Sequence, residues 1–501
     1  MVHDQLPQTE NRILSCARSG ELVDLRFGGT EHDPVNGASW DGIRVVSADL
    51  LIELLTGERT PQVGHIRAIK IQGARIIGSL DLEAHSLGCP LQLRGCYFDE
   101  PVNFDGTNAP SIRLSECSVP ALSADQLHTI GNLDLNDGFT THGHVSLLGA
   151  HIGGNLNLAG AHLLNPGGYA MLADGLTVDQ SIFCQELETE GEIRLLGAHI
   201  KSTFEFNGAL LNNPDGHALN ADRLTVDQSL FCREGFKAQG EVRLLGAQIG
   251  DMLQFSEATL NNGGGDDSDL LALDLEGAKA GHLILRPECP PIGTIDLTNA
   301  RVGLFDDTSA TWPRSIRLRG FTYETLENSR GNTRKIERQN IAERLHWLQL
   351  NEDGYNPQIY DQLAAVYRSA GQTDAARRVS VAKQLRSRSL FNPLNWLLYI
   401  TVGYGYRPWQ AGYWLAALTS LGWWIFTNAY PEHMTQAPSK APVFNAAAYS
   451  LDVLLPVLDL GQEKAWIPHG PAQYWSWMLS VAGWVLTTAV VAGMTGAFKR
   501  E

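Results

Sequence analysis

The side chains that could bind a metal ion form two small groups. His142 and His144 are separated by one residue, so on a β-strand both imidazoles would lie on one face. A zinc site needs at least three protein ligands, and no third ligand accompanies this pair. Asp266, Asp267 and Asp269 offer carboxylates to Ca²⁺, but their spacing is not that of a calcium-binding loop. The sequence therefore predicts no metal site.

Motifs that carry catalysis or bind cofactors do not occur in the sequence. It has no Gly-rich phosphate-binding loop, no Gly-rich dinucleotide fingerprint between a strand and a helix, and no GxSxG nucleophile turn. We therefore predict no catalytic residues, no cofactor-binding residues and no cofactor.

A third polar group lies between two apolar segments near the carboxyl end. Residues 442–461 read as an amphipathic helix followed by an extended piece, and they carry Asn445, Ser450, Asp452 and Asp459. The arrangement resembles the pore loop of two-span channels, which makes these four residues candidates for a pore or a re-entrant loop. The alternative is a helix in the membrane interface. A pore would require a homo-oligomer, because one pair of spans cannot enclose a channel.

Residues 401–405 read Thr-Val-Gly-Tyr-Gly, the letters of a potassium-channel selectivity filter, whose backbone carbonyls replace the hydration shell of the ion. A filter lies between two spans, whereas these residues precede the first apolar segment. The alternative interpretation is a Gly-Tyr turn at the membrane interface.

The residues before these segments repeat. The stretch 145–152 returns at 193–200 and again at 242–249, so the copies are 48 and 49 residues apart, each with Leu-Leu-Gly-Ala at its centre. Repetition at this period is typical of a solenoid, whose units bury their apolar faces by stacking on neighbours.

The finer pattern predicts short strands. Apolar-x-apolar triplets such as Leu133–Leu135 and Leu156–Leu158 recur every 10 to 12 residues, with Gly, Asn, Asp and Ala between them. We expect a mainly β protein built on a parallel β-helix, with two or so triplets in a coil of about 20 residues. Ala-x-Leu/Ile steps, such as Ala150–Ile152, resemble the A(D/N)LXX motif of the pentapeptide-repeat family, although the spacing slips between five and six residues.

Insertions interrupt this pattern at regular intervals. The sequences Asn-Pro-Gly-Gly and Asn-Pro-Asp-Gly stand at 165–168 and 213–216, and a longer insertion follows Asn262. We expect them to form loops along one side of the solenoid, where insertions often mark a binding face. The candidate partner-binding residues are Asn165, Pro166, Asn213, Pro214 and Asp215; the alternative is a repeated turn without function.

The sequence predicts four regions. Residues 1–60 form an amino-terminal cap whose helix starts after Ser47 and ends at Gly57, and residues 61–325 form the solenoid. Residues 335–390 form a helical neck that resembles a single tetratricopeptide hairpin. Residues 391–501 form a membrane domain with spans near 409–428 and 474–498.

Charge and cysteine content predict the compartment. Basic residues precede the first span and follow the second, which places both termini in the cytoplasm and the loop outside, in a multi-pass protein of the inner (cell) membrane. The seven cysteines form no CxxC motif, as expected in a reducing compartment. The net charge of −17 argues against direct nucleic-acid binding.

The chain as a whole resembles bacterial membrane proteins that join a pentapeptide-like β-helix to a two-span hairpin and are often labelled membrane-associated oxidoreductases. Three functions are therefore considered. The first is a membrane-anchored, non-enzymatic scaffold that binds the lipid bilayer and a protein partner on the β-helix. The second is an oligomeric channel gated by the β-helix. The third is the oxidoreductase activity that the resemblance implies.

Overall fold

The computed structural model describes residues 6–26, 32–59, 65–263, 270–327, 334–386, 409–437, 442–455 and 457–498. The chain divides into two compact units, Met1–Gly371 and Gln372–Glu501. In the described residues the α-helices are α1 (Leu6–Ser19), α2 (Ala48–Thr56), α3 (Arg334–Trp347), α4 (Pro357–Ser369), α5 (Thr373–Arg386), α6 (Trp409–Ala429), α7 (Ala446–Leu454), α8 (Gln462–Ala465) and α9 (Pro471–Phe498).

The first unit is a parallel β-solenoid of about 11 turns over residues 69–326, which confirms the predicted architecture. Its strands form two sheets in which neighbouring coils pair in parallel. The first sheet comprises Val23–Asp24, Ile69–Gln72, Leu91–Arg94, Asn108–Ala109, Ile112–Ser115, His128–Thr129, Leu133–Asp134, His151–Ile152, Leu156–Asn157, Thr177–Val178, Ile182–Phe183, His199–Ile200, Phe204–Glu205, Thr225–Val226, Leu230–Phe231, Gln248–Ser256, Lys279–Arg286, Arg301–Asp307 and Thr322–Leu326. The second comprises Val45–Ser47, Arg75–Ile77, Leu80–Asp81, Tyr97–Phe98, Val102–Asn103, Ser118–Val119, Leu122–Ser123, Thr140–Thr141, Val145–Ser146, His162–Leu172, Glu188–Arg194, Leu210–Asn220, Lys237–Arg243, Thr259–Asn261, Leu271–Asp274, Thr294–Asp296 and Ile316–Arg317.

Each coil has four sides, and each side contributes one inward-facing segment to the core. In the coil that starts at Leu133, the inward segments are 133–135, 139–141, 145–147 and 150–152, and their inward side chains are almost fully buried. The two apolar triplets expected in each coil are thus present here as 133–135 and 145–147. The other two segments contain Ala or Thr at an inward position, so they do not appear in the sequence as apolar triplets.

The repeated Leu-Leu-Gly-Ala sequence is a corner of the coil. Leu147 points into the core, the Ala150 N–H donates a hydrogen bond to the Leu147 carbonyl over 3.1 Å, and Gly149 between them has φ 64. A positive φ suits glycine because it lacks a Cβ. At the equivalent corner of the preceding coil, Gln126 adopts φ 55, so neighbouring coils hold even a non-glycine residue in this conformation.

The core is a stack of like residues. Leu133, Leu156, Ile182, Phe204 and Leu230 occupy successive rungs of one ladder, and each is fully buried. Cysteines take inward positions in the same way, and burial raises the pKa of the Cys184 and Cys232 thiols well above the usual range. These thiols therefore act as small apolar core residues.

The amino-terminal end of the solenoid is covered by the first two helices. Helix α2 begins after Ser47, whose hydroxyl accepts a hydrogen bond from the Asp49 N–H, and ends at Gly57 with φ 81, as the sequence predicts. Its Leu50, Leu51, Leu54 and Leu55 are buried, in a helix that contacts the strand Leu80–Asp81. The helix thus removes the apolar end of the first coil from water.

The carboxyl-terminal end is covered by α3 and α4, from the region predicted as a neck. Arg344 on α3 forms an ion pair with Asp307 of the last long strand, and only 12 % and 1 % of the two side chains are exposed. The Trp312 indole N–H donates to the same carboxylate at 2.8 Å. From α4, the Gln362 side-chain amide donates to the Tyr323 carbonyl at 2.7 Å, which satisfies a backbone group that has no further coil to pair with.

The second unit contains α5 to α9 and a two-stranded antiparallel sheet of Met434–Gln436 and Trp466–Pro468. Over Pro471–Val491, α9 is long and apolar enough to cross a membrane, judged by length and composition, and less than a third of this stretch is buried. It is the one helix among the described residues that meets this standard. The prediction of two spans is therefore supported for one segment. Helix α6 is as long as this stretch, but four tryptophans, Gln410 and Asn428 lower its hydropathy.

Arg344→Met should lower the free energy of unfolding of the full chain by about 3–5 kcal/mol, because it leaves the Asp307 carboxylate buried without a counter-charge. The double variant Arg344→Met/Asp307→Leu should recover most of this loss, since it removes both charges. Denaturant unfolding followed by circular dichroism measures both effects. The exposed Arg319→Met is the control and should change stability by less than about 0.5 kcal/mol; a loss below about 1 kcal/mol for Arg344→Met would contradict the role of the ion pair.

Candidate functional sites

The first candidate site is the corner of the second sheet where the insertions occur. Loops 164–170 and 212–218 belong to alternate coils, and the coil that follows each loop turns at the same place through a short sequence, 190–192 or 239–241. We call these four segments the insertion corner. The loops lengthen their coils without changing the register of the first sheet, in which Ile182 still pairs with both Leu156 and Phe204.

Both loops are closed by the same side-chain contact. The Asn165 amide donates to the Tyr169 carbonyl, and the Asn213 amide donates to the His217 carbonyl, each at 2.8 Å. A Cβ on Gly168 or Gly216 would lie about 3 Å from the closing Asn side chain. The spacing Asn-Pro-x-Gly thus suits the loop itself, and each of the two asparagines predicted to bind a partner uses one amide N–H to close its loop.

The short turns that follow the loops depend on glycine. Gly191 has φ 111, and a Cβ there would collide with the carbonyl oxygens of Asn165 and Gly168 in the loop of the preceding coil. Gly240 has the same φ and the same relation to loop 212–218. A glycine therefore lets each loop rest on the next coil at backbone distance.

The loop tips point away from the core. Pro166 and Gly167 are exposed at the first tip, where Gly167 has φ 73, and Pro214 and Asp215 are exposed at the second. Among the predicted partner-binding residues, Pro166, Pro214 and Asp215 are exposed, whereas Asn165 and Asn213 are half-buried. The third insertion follows the same plan at its base, where the Asn262 amide donates to the Leu271 carbonyl at 2.7 Å.

Titratable side chains line the insertion corner. The imidazole of His217 lies between Glu192, 4.0 Å from Nδ1, and Glu241, 3.6 Å from Nε2. Burial raises the pKa of the Glu241 carboxyl group, and His217 opposes this rise. Arg243 lies 3.9 Å from Glu241 and pairs with Asp222 at 2.9 Å. This arrangement places a histidine and two carboxylates from three successive coils in one column.

A polar groove of about 440 Å³ lies further along the same sheet. Its lining carries both charges, with Arg317 bonded to Glu352 at 2.8 Å and 3.4 Å from Asp296. Burial raises the pKa of the neighbouring Asp274. The groove is lined by Glu276, Asp296, Thr298, Arg317, Arg319, Glu352 and Asp353. Arg317 thus links Asp296 of the solenoid to Glu352, which follows the last coil.

The second candidate site is the short helix α7, which contacts both long helices of the second unit. A Cβ on Gly422 of α6 would lie 2.7 Å from the Ser450 hydroxyl, and one on Gly483 of α9 would collide with the Leu454 carbonyl. Glycines at both contacts allow the backbones of the three helices to approach closely, as in packed membrane helices.

The four predicted pore or re-entrant residues have distinct partners. Asn445 caps α7 by accepting from the N–H groups of Ala447 and Ala448, and the Ser450 hydroxyl donates to the Ala446 carbonyl. Asp459 is exposed and accepts from the Gly461 N–H.

Asp452 is buried, and its carboxylate holds the returning chain. It accepts hydrogen bonds from the N–H groups of Leu460, Gln462 and Glu463 at 2.7 to 2.9 Å. The sequence predicted a role for Asp452 only because it lies between the two apolar segments. The sequence could not show that Asp452 anchors the N-terminus of α8, because the three N–H donors lie 8 to 11 positions away without a regular pattern.

The remaining sequence motifs add no site. His142 and His144 are both exposed, and within the described residues no group of three His, Cys, Asp or Glu side chains is placed to hold a metal ion. Asp266, Asp267, Asp269 and the residues 401–405 lie outside the described residues. The column at His217 was missed, although a histidine and two glutamates at equivalent corners of the sequence repeat could have indicated it.

Comparisons of the chain with models of known protein families, with curated proteins and with solved structures gave no match.

Asp452→Asn should lower the stability of the second unit by about 1.5–3 kcal/mol, because hydrogen bonds to a buried carboxylate weaken when its charge is removed. Asp459→Asn is the matched control: it removes an exposed ion pair with Lys464, which water screens, and should cost much less stability than Asp452→Asn. Thermal unfolding of the detergent-solubilised chain measures the difference. Equal effects of the two variants would contradict the anchoring role of Asp452.

Proposed function

We propose that this chain is a membrane-anchored, non-enzymatic scaffold whose β-solenoid presents the insertion corner to a protein partner. The observation that carries the membrane part is the exposed apolar surface of α9. Tyr474, Trp477, Met478, Val481 and Trp484 of this helix are each more than half exposed. Such a surface is costly in water and favourable in a bilayer, and no charged residue interrupts it from Pro471 to Val491.

Helix α6 supports the same assignment. Tyr413, Trp423 and Trp424 are more than half exposed, and Trp414 and Leu421 are 42 % and 40 % exposed. Trp and Tyr favour the membrane–water interface, so α6 suits a helix that spans the bilayer or lies at its surface. With α9 as a second span, the protein would be multi-pass.

The scaffold part rests on the construction of the insertion corner. Two loops of equal length are closed by the same asparagine contact, rest on glycines of the next coil and present different exposed residues at their tips. A rigid base with variable tips is the arrangement through which repeat proteins bind partners. The acidic Asp215 tip and the net charge of −17 favour a basic protein surface over nucleic acid.

A second candidate function is an oligomeric channel, because α7 lies against both α6 and α9 as a pore helix would. In this candidate the exposed Asp459 would lie near the ion path. The oligomeric state in detergent separates the two functions: a monomer excludes the channel, whereas an oligomer with reproducible single-channel conductance that changes in Asp459→Asn would replace the scaffold proposal.

The native chain expressed in bacterial cells should stay in the membrane pellet after an alkaline carbonate wash. Val481→Asp/Trp484→Asp should shift it to the soluble or degraded fraction, because each charge near the centre of a span costs about 3 kcal/mol. Ile130→Asp, at a position of the solenoid that is 76 % exposed, is the matched control and should leave the chain in the pellet. Extraction of the native chain by carbonate would refute the anchor.

Cys289 tests the side of the membrane on which the solenoid lies, because it is the exposed cysteine of the described residues. If the termini are cytoplasmic, a membrane-impermeant maleimide should label the chain in inside-out vesicles and leave it unlabelled in intact spheroplasts. Cys16→Ser/Cys289→Ser should abolish the labelling in vesicles, because Cys16 is partly exposed and the other five cysteines are buried. Labelling in spheroplasts would place the solenoid outside the cell.

A further inference from the structure

The position of His217 makes loop 212–218 unlike its copy. Each of its ring nitrogens faces a glutamate, Glu192 from the preceding coil and Glu241 from the following coil. The two glutamate side chains are 16 % exposed and the histidine is 34 % exposed. The loop that carries His217 is thus held between two largely buried carboxylates.

The charges around this histidine are mainly negative. Glu192 accepts a hydrogen bond from the Asn220 amide at 3.1 Å, which supplies no charge. The charged neighbours are the carboxylates of Glu192, Glu241, Asp222 and Asp274 and the guanidinium of Arg243. When His217 is neutral, one arginine therefore faces four carboxylates.

The preceding loop supplies an internal comparison. Tyr169 pairs with Glu192 in the register in which His217 pairs with Glu241, and both follow a closing asparagine by four residues. Tyr169 contacts Arg194 at 3.5 Å through its hydroxyl, and Arg194 pairs with Asp174. A tyrosine stays neutral up to about pH 10, whereas histidine is the side chain that ordinarily changes charge between pH 5 and 8.

We propose that loop 212–218 is a pH-sensitive element of the insertion corner: protonated His217 holds the loop against Glu192 and Glu241, and its deprotonation loosens the loop. The role of the loop as a recognition surface rests on the proposed function. The pH dependence of the loop's order is independent of that function. The device would let a change of pH alter one binding loop while the neighbouring loop keeps its conformation.

Burial raises the pKa of the Glu241 carboxyl group, which favours the neutral form that cannot attract an imidazolium. The attraction between the ring and the two glutamates needs a protonated ring and ionised carboxylates together, because a neutral imidazole has no charge to pair with. The geometry therefore predicts a more ordered loop at pH 5.5 than at pH 8.0.

Hydrogen exchange of the full chain in detergent, read by mass spectrometry and divided by intrinsic exchange rates, tests this. Protection of peptides covering loop 212–218 should be about fivefold lower at pH 8.0 than at pH 5.5, the effect of one partly exposed ion pair. Peptides covering loop 164–170 should show no such change. His217→Tyr, which copies the residue of the first loop, should remove the pH dependence.

Equal protection at both pH values in the native chain would overturn the proposal, and so would a pH dependence that survives in His217→Tyr. Glu192→Gln/Glu241→Gln provides a second variant that keeps the histidine and removes its carboxylates. It should also abolish the pH dependence, and persistence there would overturn the proposal even if the tyrosine disturbs the loop. Since no partner is present in these measurements, a failed search for a partner leaves their result unaffected.

Discussion

The solenoid depends on backbone hydrogen bonds between successive coils. A strand of two residues, such as Leu133–Asp134, has too few contacts to be stable by itself, and it acquires its partners from the coils on both sides. The same stacking places Leu133 on Leu156 and so encloses the core. Because every interior coil needs two neighbours, the first and last coils need covers of another kind, and helices supply them at both ends.

Other features of the first unit follow from this stacking. Side chains that point outward on neighbouring rungs lie close together, so charges are arranged in compensating pairs such as Arg194 with Asp174 and Arg243 with Asp222. Where a loop widens one coil, the next coil has to leave room for it, and Gly191 and Gly240 do so. The insertion corner thus meets the same requirement as the plain coils, namely that successive coils stack at backbone hydrogen-bonding distance.

Much of the fold could be predicted because its determinants are local in the sequence. The Leu-Leu-Gly-Ala repeats indicated the coils, and Ser47 and Gly57 gave the ends of α2. What could not be predicted depends on contacts between distant residues. The pairing of Arg344 with Asp307 spans 37 positions. Asp452 accepts from backbone N–H groups, which nearly every residue has, so the side chains of the donors do not indicate the contact. The loops were predicted as insertions, but the different roles of Tyr169 and His217 appear only once the coils are stacked.

The sequence repeat consists of one plain coil and one coil with a loop, and this has a consequence for the spacing of the two loop tips. Parallel strands are about 4.8 Å apart, so equivalent points on loops two coils apart are separated by about 9.6 Å. Duplicating this double coil would add another loop at the same pitch without disturbing the register of the core. A partner with a matching repeat would contact several tips at once, and its affinity would then grow through multivalency, with no single loop having to bind tightly.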